Sequence, residues 1–308
     1  VIVSDDVAPV DETPVFIPSA DETLFGLWHR PVGRANGVAV TMLTGAGYLT
    51  SSHRNRMYVR LARELTRRGY HVLRIDYHGV GESSGSVQEF RLDQLFTDDL
   101  RAAIRWTESR SVRRHVLVGS CFGARTALAA SVQINRLEAV ALISPPVRDF
   151  ERGEETAIEW SPRTLARRLR DPSTLKGLLD ADRRGVYRRF ASTKALEVVK
   201  RGRARLGGDA PPDTATVAAD FLKPLEQLAH RKIPTLLLYG SQDGLWQHFQ
   251  QAAGRDLAPV LRRAAGLIEP LTFAGTLHGF ESLAAQDAVL DLVPSWLAQA
   301  HPMARLQA

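Results

Sequence analysis

The chain has 308 residues, 44% of them hydrophobic and 24% charged, with a formal net charge of +6. That balance supplies a substantial core and excludes a disordered or fibrous chain, while a single cysteine excludes an internal disulfide and fits a reducing compartment. No apolar run approaches the roughly 18 residues of a membrane helix, and the opening VIVSDDVAPVDETP lacks the basic segment and apolar stretch of a secretory leader. A soluble, cytoplasmic protein is expected.

In chain order, TPVFIP (13–18) and ETLFGLWH (22–29) flank Ser-Ala-Asp and read as an opening antiparallel hairpin. GVAVTML (37–43) is a buried strand that runs into Thr44-Gly45-Ala46-Gly47. RMYVRLARELTRRG (56–69) carries Met57, Leu61 and Leu65 at helical spacing and stops at Gly69. HVLRIDY (71–77) is the next strand, followed by the glycine- and serine-rich loop HGVGESSG (78–85). A helix is predicted over 92–106, a strand over 115–120, a helix over 122–130, and a strand over 138–144 closed by Pro145-Pro146.

From Val147 to Lys232 the alternation stops, and the pattern is helical, charged and interrupted by Pro162, Pro172 and GGDAPPD. It resumes with a strand over 233–240, one helix over 247–264, a strand over 267–274 and a last helix over 282–300. Strand–helix alternation of this kind predicts an α/β fold, a mostly parallel central sheet flanked by helices. The domain reading is a core of 1–146 and 233–308 with a helical insertion, 147–232, after the sixth strand.

The insertion is strongly basic. Between Arg163 and Arg205 fourteen Lys/Arg stand against four acids, a local charge near +10. Such a stretch attracts an anionic cofactor, an acidic protein or nucleic acid, or is simply a solvated helical face. Nucleic acid is the least favoured of these, because no nucleic-acid module accompanies the charge.

Residues 119–124 read GSCFGA, between the strand HVLVGS and the small-residue helix that follows. The spacing is that of a nucleophile elbow, G-x-S-x-G, with cysteine at the apex. Small residues two before and two after the apex let the chain turn sharply, and the helix N-terminus behind Cys121 favours a thiolate. A thiol is mostly protonated at neutral pH and benefits from a base, itself oriented by an acid. Asp243 follows the strand TLLLYG, and His278 follows LTFA; of the nine histidines, only His278 lies in the loop after the last strand. Asp149 is the alternative acid. An oxyanion hole would use the Phe122 N–H and a donor near Ala46. Tyr48, Trp246 and Phe280 are candidate substrate contacts, with core packing the competing role for Trp246 and its neighbour Phe249. No metal-ligand cluster, Walker loop or dinucleotide fingerprint is present, so no cofactor is expected.

With these residues in view, the chain resembles the α/β-hydrolase superfamily over nearly its whole length. The stretch SHRNRMYVRLARELTRRGYHVLRIDYHGVGESSG (52–85) is similar to bacterial hydrolases of the serine aminopeptidase-like group and to the exosortase-system-associated hydrolases. The latter likeness extends to the cysteine, and dienelactone hydrolases and some thioesterases also carry cysteine there. The resemblance implies a Cys121–His278–Asp243 triad, an oxyanion role for Phe122 and the Ala46 region, and a cap or lid over 147–232. It departs at the missing histidine before Gly45 and at the exchange of serine for cysteine, which moves the expectation away from ordinary ester or peptide cleavage.

Sulfur favours acyl groups that arrive activated. An acyl-cysteine is itself a thioester, close in energy to an acyl-CoA or acyl-carrier thioester. The expected activity is hydrolysis or transfer of an acyl group from a thioester or activated ester, the small-molecule donor delivered by CoA or by an acidic acyl carrier protein. An ordinary carboxylic ester hydrolase, a non-catalytic binding protein, and a lyase or isomerase using His278 as base are the competing readings. No nucleic-acid or membrane partner is expected.

Overall fold

In a computed structural model, residues 11–45, 49–87, 90–149 and 217–300 are described. Two polar-edged strands open the chain: β1 (Asp11–Ser19) and β2 (Glu22–Arg30) pair antiparallel along their whole length, from Asp11 opposite Arg30 to Ser19 opposite Glu22. The next strands, β3 (Val38–Leu43) and β4 (His71–Ile75), are nearly continuous apolar runs, as expected of strands covered on both faces. With β5 (Arg114–Ser120), β6 (Leu137–Ile143), β7 (Thr235–Gly240) and β8 (Ile268–Phe273) they complete an eight-stranded sheet in the order β1-β2-β4-β3-β5-β6-β7-β8. Every pairing from β4 to β8 is parallel; the two involving β2 are antiparallel. The expected α/β fold is therefore observed.

The order reverses at β3, whose neighbours are β4 on one side and β5 on the other. At such a switch point the loops leaving the carboxyl ends of adjacent strands diverge and open a crevice, the usual place for a ligand in an open α/β sheet. Thr44-Gly45 leaves β3 there, and Cys121 leaves β5.

One face of the sheet packs on α1 (Met57–Arg67) and α7 (Leu283–Ala300). Val40, Met42, Val116, Val118, Ala141 and Leu238 form a single core with Tyr58, Leu61, Leu65, Val293 and Leu297. Each such leucine, fully buried, contributes about 1.5–3 kcal/mol. The alternate residues of the same strands, such as Leu117, Leu142 and Leu237, point to the other face, where α2 (Thr97–Glu108), α3 (Phe122–Ser131) and α4 (Ala219–His230) lie.

Polar groups tie the loops at this end of the sheet. Asp76, buried just beyond β4, accepts N–H groups from Ser51 (2.5 Å) and Glu82 (3.3 Å) and so holds the loop after β3 to the loop after β4. Asp99 of α2 receives the Ser19 hydroxyl (2.9 Å) and both the backbone N–H and the ring of His78.

Three boundaries differ from the sequence reading. The helix expected from Leu92 begins at Thr97, because Phe96 holds a non-helical backbone and commits its ring to a cluster with Tyr77, Phe90 and Phe122, 5.2–5.3 Å between centroids. The helix expected over 247–264 is two, α5 (Gly244–Ala253) and α6 (Ala258–Arg263). Pro259 sits in the first turn of α6, where its missing N–H is harmless; inside one continuous helix it would remove a hydrogen bond and clash with the preceding turn.

The third concerns α4, which the sequence reading placed within the insertion. It packs against α3, burying Phe221, Leu225 and Leu228, and its Asp220 accepts from the buried Arg125 of α3. Residues Val217–Ala308 accordingly group with the first 147, and 148–216 separate as a second unit, of which only Arg148 and Asp149 are among the described residues. The basic stretch 163–205 lies outside them.

Candidate active site

The turn from β5 into α3 has the geometry that the glycine spacing demands. Cys121 adopts φ 48°, ψ −117°, a conformation that costs a non-glycine residue roughly 1–3 kcal/mol. Neighbouring bonds hold it there: the Cys121 N–H donates to the Ile143 carbonyl (2.9 Å), and its own carbonyl accepts from Ala124 (3.0 Å) and Arg125 (3.1 Å). A Cβ on Gly119 would come within 2.5 Å of the Gly123 carbonyl oxygen, and a Cβ on Gly123 would run into the carbonyls of Leu43 and Thr44. Gly119 lets β5 and α3 pass each other at contact distance, and Gly123 lets α3 pass the end of β3. Cys121 is the first residue before α3, so its side chain stands at a helix N-terminus, with Phe122 opening the helix.

Opposite this turn lies Gly45. A Cβ there would stand 3.5 Å from Cys121 Cβ, which puts the loop after β3 directly beside the elbow. Thr44 anchors that loop by donating its hydroxyl to the Leu49 carbonyl (3.0 Å), and its own carbonyl accepts from the Tyr77 hydroxyl (3.1 Å). Ala46 and Tyr48, the expected oxyanion and substrate contacts, lie outside the described residues.

Asp243 and His278 come together from the ends of β7 and β8. The Asp243 carboxylate is buried and accepts backbone N–H groups from Gly240 (2.9 Å), Leu277 (3.2 Å) and His278 (3.0 Å). It thereby fixes the turn that carries the histidine. Burial pushes its carboxyl above the ordinary value, against the pull of those same N–H groups. His278 is half-buried in a short turn, His278–Phe280, where Gly279 (φ 78°) and Phe280 (φ 51°) are both left-handed. Burial, with the Arg54 guanidinium beside it, lowers His278 to about 4, so it is a neutral imidazole at pH 7. Asp149, the alternative acid, is exposed and belongs to the other unit.

Two residues at this site were not singled out from the sequence. Tyr58 of α1 is fully buried; its hydroxyl bonds the Leu43 carbonyl (2.9 Å) and Ser120 Oγ (3.0 Å), and the charge Cys121 would carry is among the causes that raise its pKa. His53, which reads in sequence only as the start of a helix, packs between Tyr58 and Phe280, ring centroids 5.0 and 4.9 Å away. Burial, then Arg54, then the charge of His278 lower it to about 4. Spacing gave no signal for either, since both reach the elbow through the packing of α1.

The aromatic candidates separate. Trp246 is half-buried and stacks on Phe249 (5.5 Å) beside Tyr239 (5.6 Å). Phe280 is 1% exposed and belongs to the core, so its ring packs against His53 rather than presenting a face to a ligand. Among the described residues no cluster of His, Cys, Asp or Glu is arranged to hold a metal ion, and no helix is long and apolar enough to cross a membrane.

A family model described as serine aminopeptidase, S33, matches residues 47–265, well over half of the chain. The chain belongs to this family of α/β-hydrolases. Solved structures similar to this member share its fold at low identity. An esterase from Pyrococcus furiosus covers 94% of the chain and 91% of its own, at 16% identity and a TM-score of 0.62. A proline iminopeptidase from Mycobacterium smegmatis covers 95% and 100%, at 16% and 0.59. A dienelactone hydrolase from Anabaena variabilis covers 95% and 99%, at 15% and 0.55. Curated relatives include proteins titled acyl transferase from Photorhabdus luminescens, 35% identical over 79 residues, and Photorhabdus laumondii, 31% over 96. These alignments span only 25% and 31% of the chain, and 25% and 30% of the relatives' own length.

Three histidines with lowered pKa values are expected to make the fold acid-sensitive. His29, bonded through Nε2 to the buried Arg74 (2.9 Å), is lowered by burial to about 3, beside His53 and His278 at about 4. In the unfolded chain each titrates near 6.5. Unfolding therefore takes up protons below that value: the stabilisation is complete above about 6.5 and declines as pH falls towards 4. Asp243 is shifted the other way by burial, so its protonation as pH falls offsets part of this loss. The thermal midpoint is expected to drop steadily between pH 7 and pH 5, and His29→Gln to flatten the drop; a midpoint constant over that range would contradict these assignments.

Proposed function

We propose that this family member is an acyl-transfer enzyme that works through an acyl-cysteine, accepting acyl groups from thioesters or activated esters. The observation that carries the reading is the backbone at Cys121, strained into the elbow conformation between two glycines at which any Cβ would overlap backbone atoms. Relatives titled acyl transferase support it, as does membership of a hydrolase family.

In this reading neutral His278 takes the proton from the Cys121 thiol as Sγ attacks the donor carbonyl carbon. The tetrahedral oxyanion is held by the Phe122 N–H, the first of α3, and by a donor from the Ala46 region. Collapse breaks the donor's C–S or C–O bond, and the leaving group takes the proton back from His278. The acyl-cysteine is then attacked by water, an alcohol or an amine, His278 accepting the incoming proton and returning it to Sγ. Asp243 orients the histidine through the backbone N–H groups of 277 and 278. Lowered to about 4, His278 is unprotonated at neutral pH, and its hold on the proton strengthens only as the negative charge of Sγ or the oxyanion develops beside it.

Trp246 and Tyr48 are proposed as acyl contacts. The basic stretch 163–205 is proposed to receive the phosphates of CoA or the acidic surface of a carrier protein, an attraction that salt weakens.

Intact mass spectrometry tests this directly. The protein is incubated with acyl-CoA and acyl-carrier donors at low and high salt, and an acyl mass on Cys121 is sought. An adduct that persists until an alcohol or amine is added marks a transferase, and one lost in buffer marks a hydrolase. Absence of an adduct with every activated donor sinks the reading.

A further inference from the structure

Two segments with strained backbones meet beside His278. On one side stand His53 (φ 58°, ψ 176°), Asn55 (φ 53°) and Arg56 (φ 57°), immediately before α1; on the other stand Gly279 (φ 78°) and Phe280 (φ 51°). The conformation at His53 is one that glycine adopts and residues with side chains avoid. The chain nevertheless carries an imidazole there, and strain of this kind persists only where surrounding packing over-determines it.

The contacts show what the ring does. His53 Nδ1 accepts the Arg54 N–H (2.7 Å), which fixes the neutral tautomer with its proton on Nε2. One side of the ring lies against Tyr58, whose hydroxyl donates to the Leu43 carbonyl and pairs with the hydroxyl of Ser120, the residue before Cys121. Another meets Phe280 edge-on, at 4.9 Å and 65°, two residues after His278. Arg54 closes the same contact from outside by pairing with Glu281 (3.3 Å). A continuous chain of contacts thus runs from the elbow, through Ser120, Tyr58 and His53, to the turn that holds His278.

We propose that His53 is a positioning residue for the His278 base, its ring being the wedge that sets the His278–Phe280 turn against the Cys121 elbow. The proposal rests on His278 acting as the base. With the wedge removed, the turn relaxes towards the vacated space and the imidazole loses its alignment with Sγ, which slows proton transfer without weakening substrate binding. Displacement of a reacting group by about 1 Å can cost roughly 100-fold in rate.

The test compares kcat and KM for an acyl-CoA donor, with thermal midpoints, in the wild type, His53→Gly, His53→Asn, His53→Phe and His278→Ala. Glycine suits this backbone, and asparagine bears the same strain as histidine, but neither carries a ring, so both are expected to lose roughly 10–100-fold in kcat with KM within about twofold. Phenylalanine restores the ring and is expected to recover kcat to within about threefold of the wild type. The proposal is overturned if either ringless variant keeps wild-type kcat, if KM alone changes, or if His53→Phe is as slow as His53→Gly. Should the ringless variants fail to fold, His53→Phe decides alone: near wild-type turnover supports the wedge and a large loss rejects it. Wild-type turnover in His278→Ala instead removes the base itself, and this proposal with it.

Discussion

Cys121→Ala is expected to abolish the acyl adduct and to reduce turnover of an acyl thioester by roughly four orders of magnitude or more, the loss seen when one member of a cooperating nucleophile–base set is removed. The fold should survive, because alanine keeps the Cβ that already sits at φ 48° and removes only the sulfur. Cys121→Ser separates the role of sulfur from that of the elbow. A serine there is placed by the same turn, yet its acyl-enzyme is an oxyester, lower in energy than the thioester donor. Loading then runs downhill, and the stored acyl group is less reactive towards an amine or alcohol. The serine variant should therefore retain hydrolysis of activated esters while transfer falls well below that of the wild type. Donor turnover and product partition, measured with and without an amine acceptor, check both variants; an alanine variant with wild-type turnover would remove Cys121 from the mechanism.

Gly123→Ala is expected to be the most damaging single methyl addition near the site. Its Cβ would overlap the carbonyl oxygens of Leu43 and Thr44, both on or just after the central strand β3. Neither carbonyl can yield easily, since β3 is paired on both sides, with β4 and with β5. Relief must come from moving α3 away from the sheet and Cys121 with it. A cost of about 3 kcal/mol or more follows for backbone overlap of this kind, a large share of the 5–15 kcal/mol that holds a domain together. At 2–4 °C per kcal/mol, the thermal midpoint should fall by roughly 6–12 °C or more. Gly254→Ala is the control: its Cβ would meet only the carbonyls of Gln250 and Gln251 at 3.7 Å, at an ordinary negative φ of −77°, and a change within about 0.5 kcal/mol is expected. Equal midpoints for the two variants would contradict the close approach at the elbow.

Much of the site is written locally. Gly119, Cys121 and Gly123 sit at the spacing of a nucleophile elbow between a strand and a small-residue helix, and the apolar runs before Asp243 and His278 announce the strands that carry them. The same strand–helix alternation made the α/β fold legible in the sequence, whereas the reversal that puts β4 between β2 and β3 is visible only in the pairing. Local pattern failed where a residue served a distant partner. Phe96 reads as part of a helix, but its ring is claimed by Tyr77, Phe90 and Phe122, and the helix starts one residue later. The split between α5 and α6 is marked in the sequence by Pro259, which the single helix read over 247–264 runs across. Phe280 has the sequence position of a substrate contact, yet the core encloses it.

The sequence by itself determined the turn at Cys121, the chain order Cys121–Asp243–His278 and the strands that present these residues, because each depends on backbone sterics and periodicity within a few residues. Only the tertiary structure decided that Asp243 grips the backbone of the His278 turn, and that His53 and Tyr58, more than sixty residues before Cys121 in the chain, link the Cys121 turn to it. Those contacts arise from the docking of α1 and of the turn after β8 onto one sheet. Which side chains meet there depends on the packing of the whole core, and no local spacing records it.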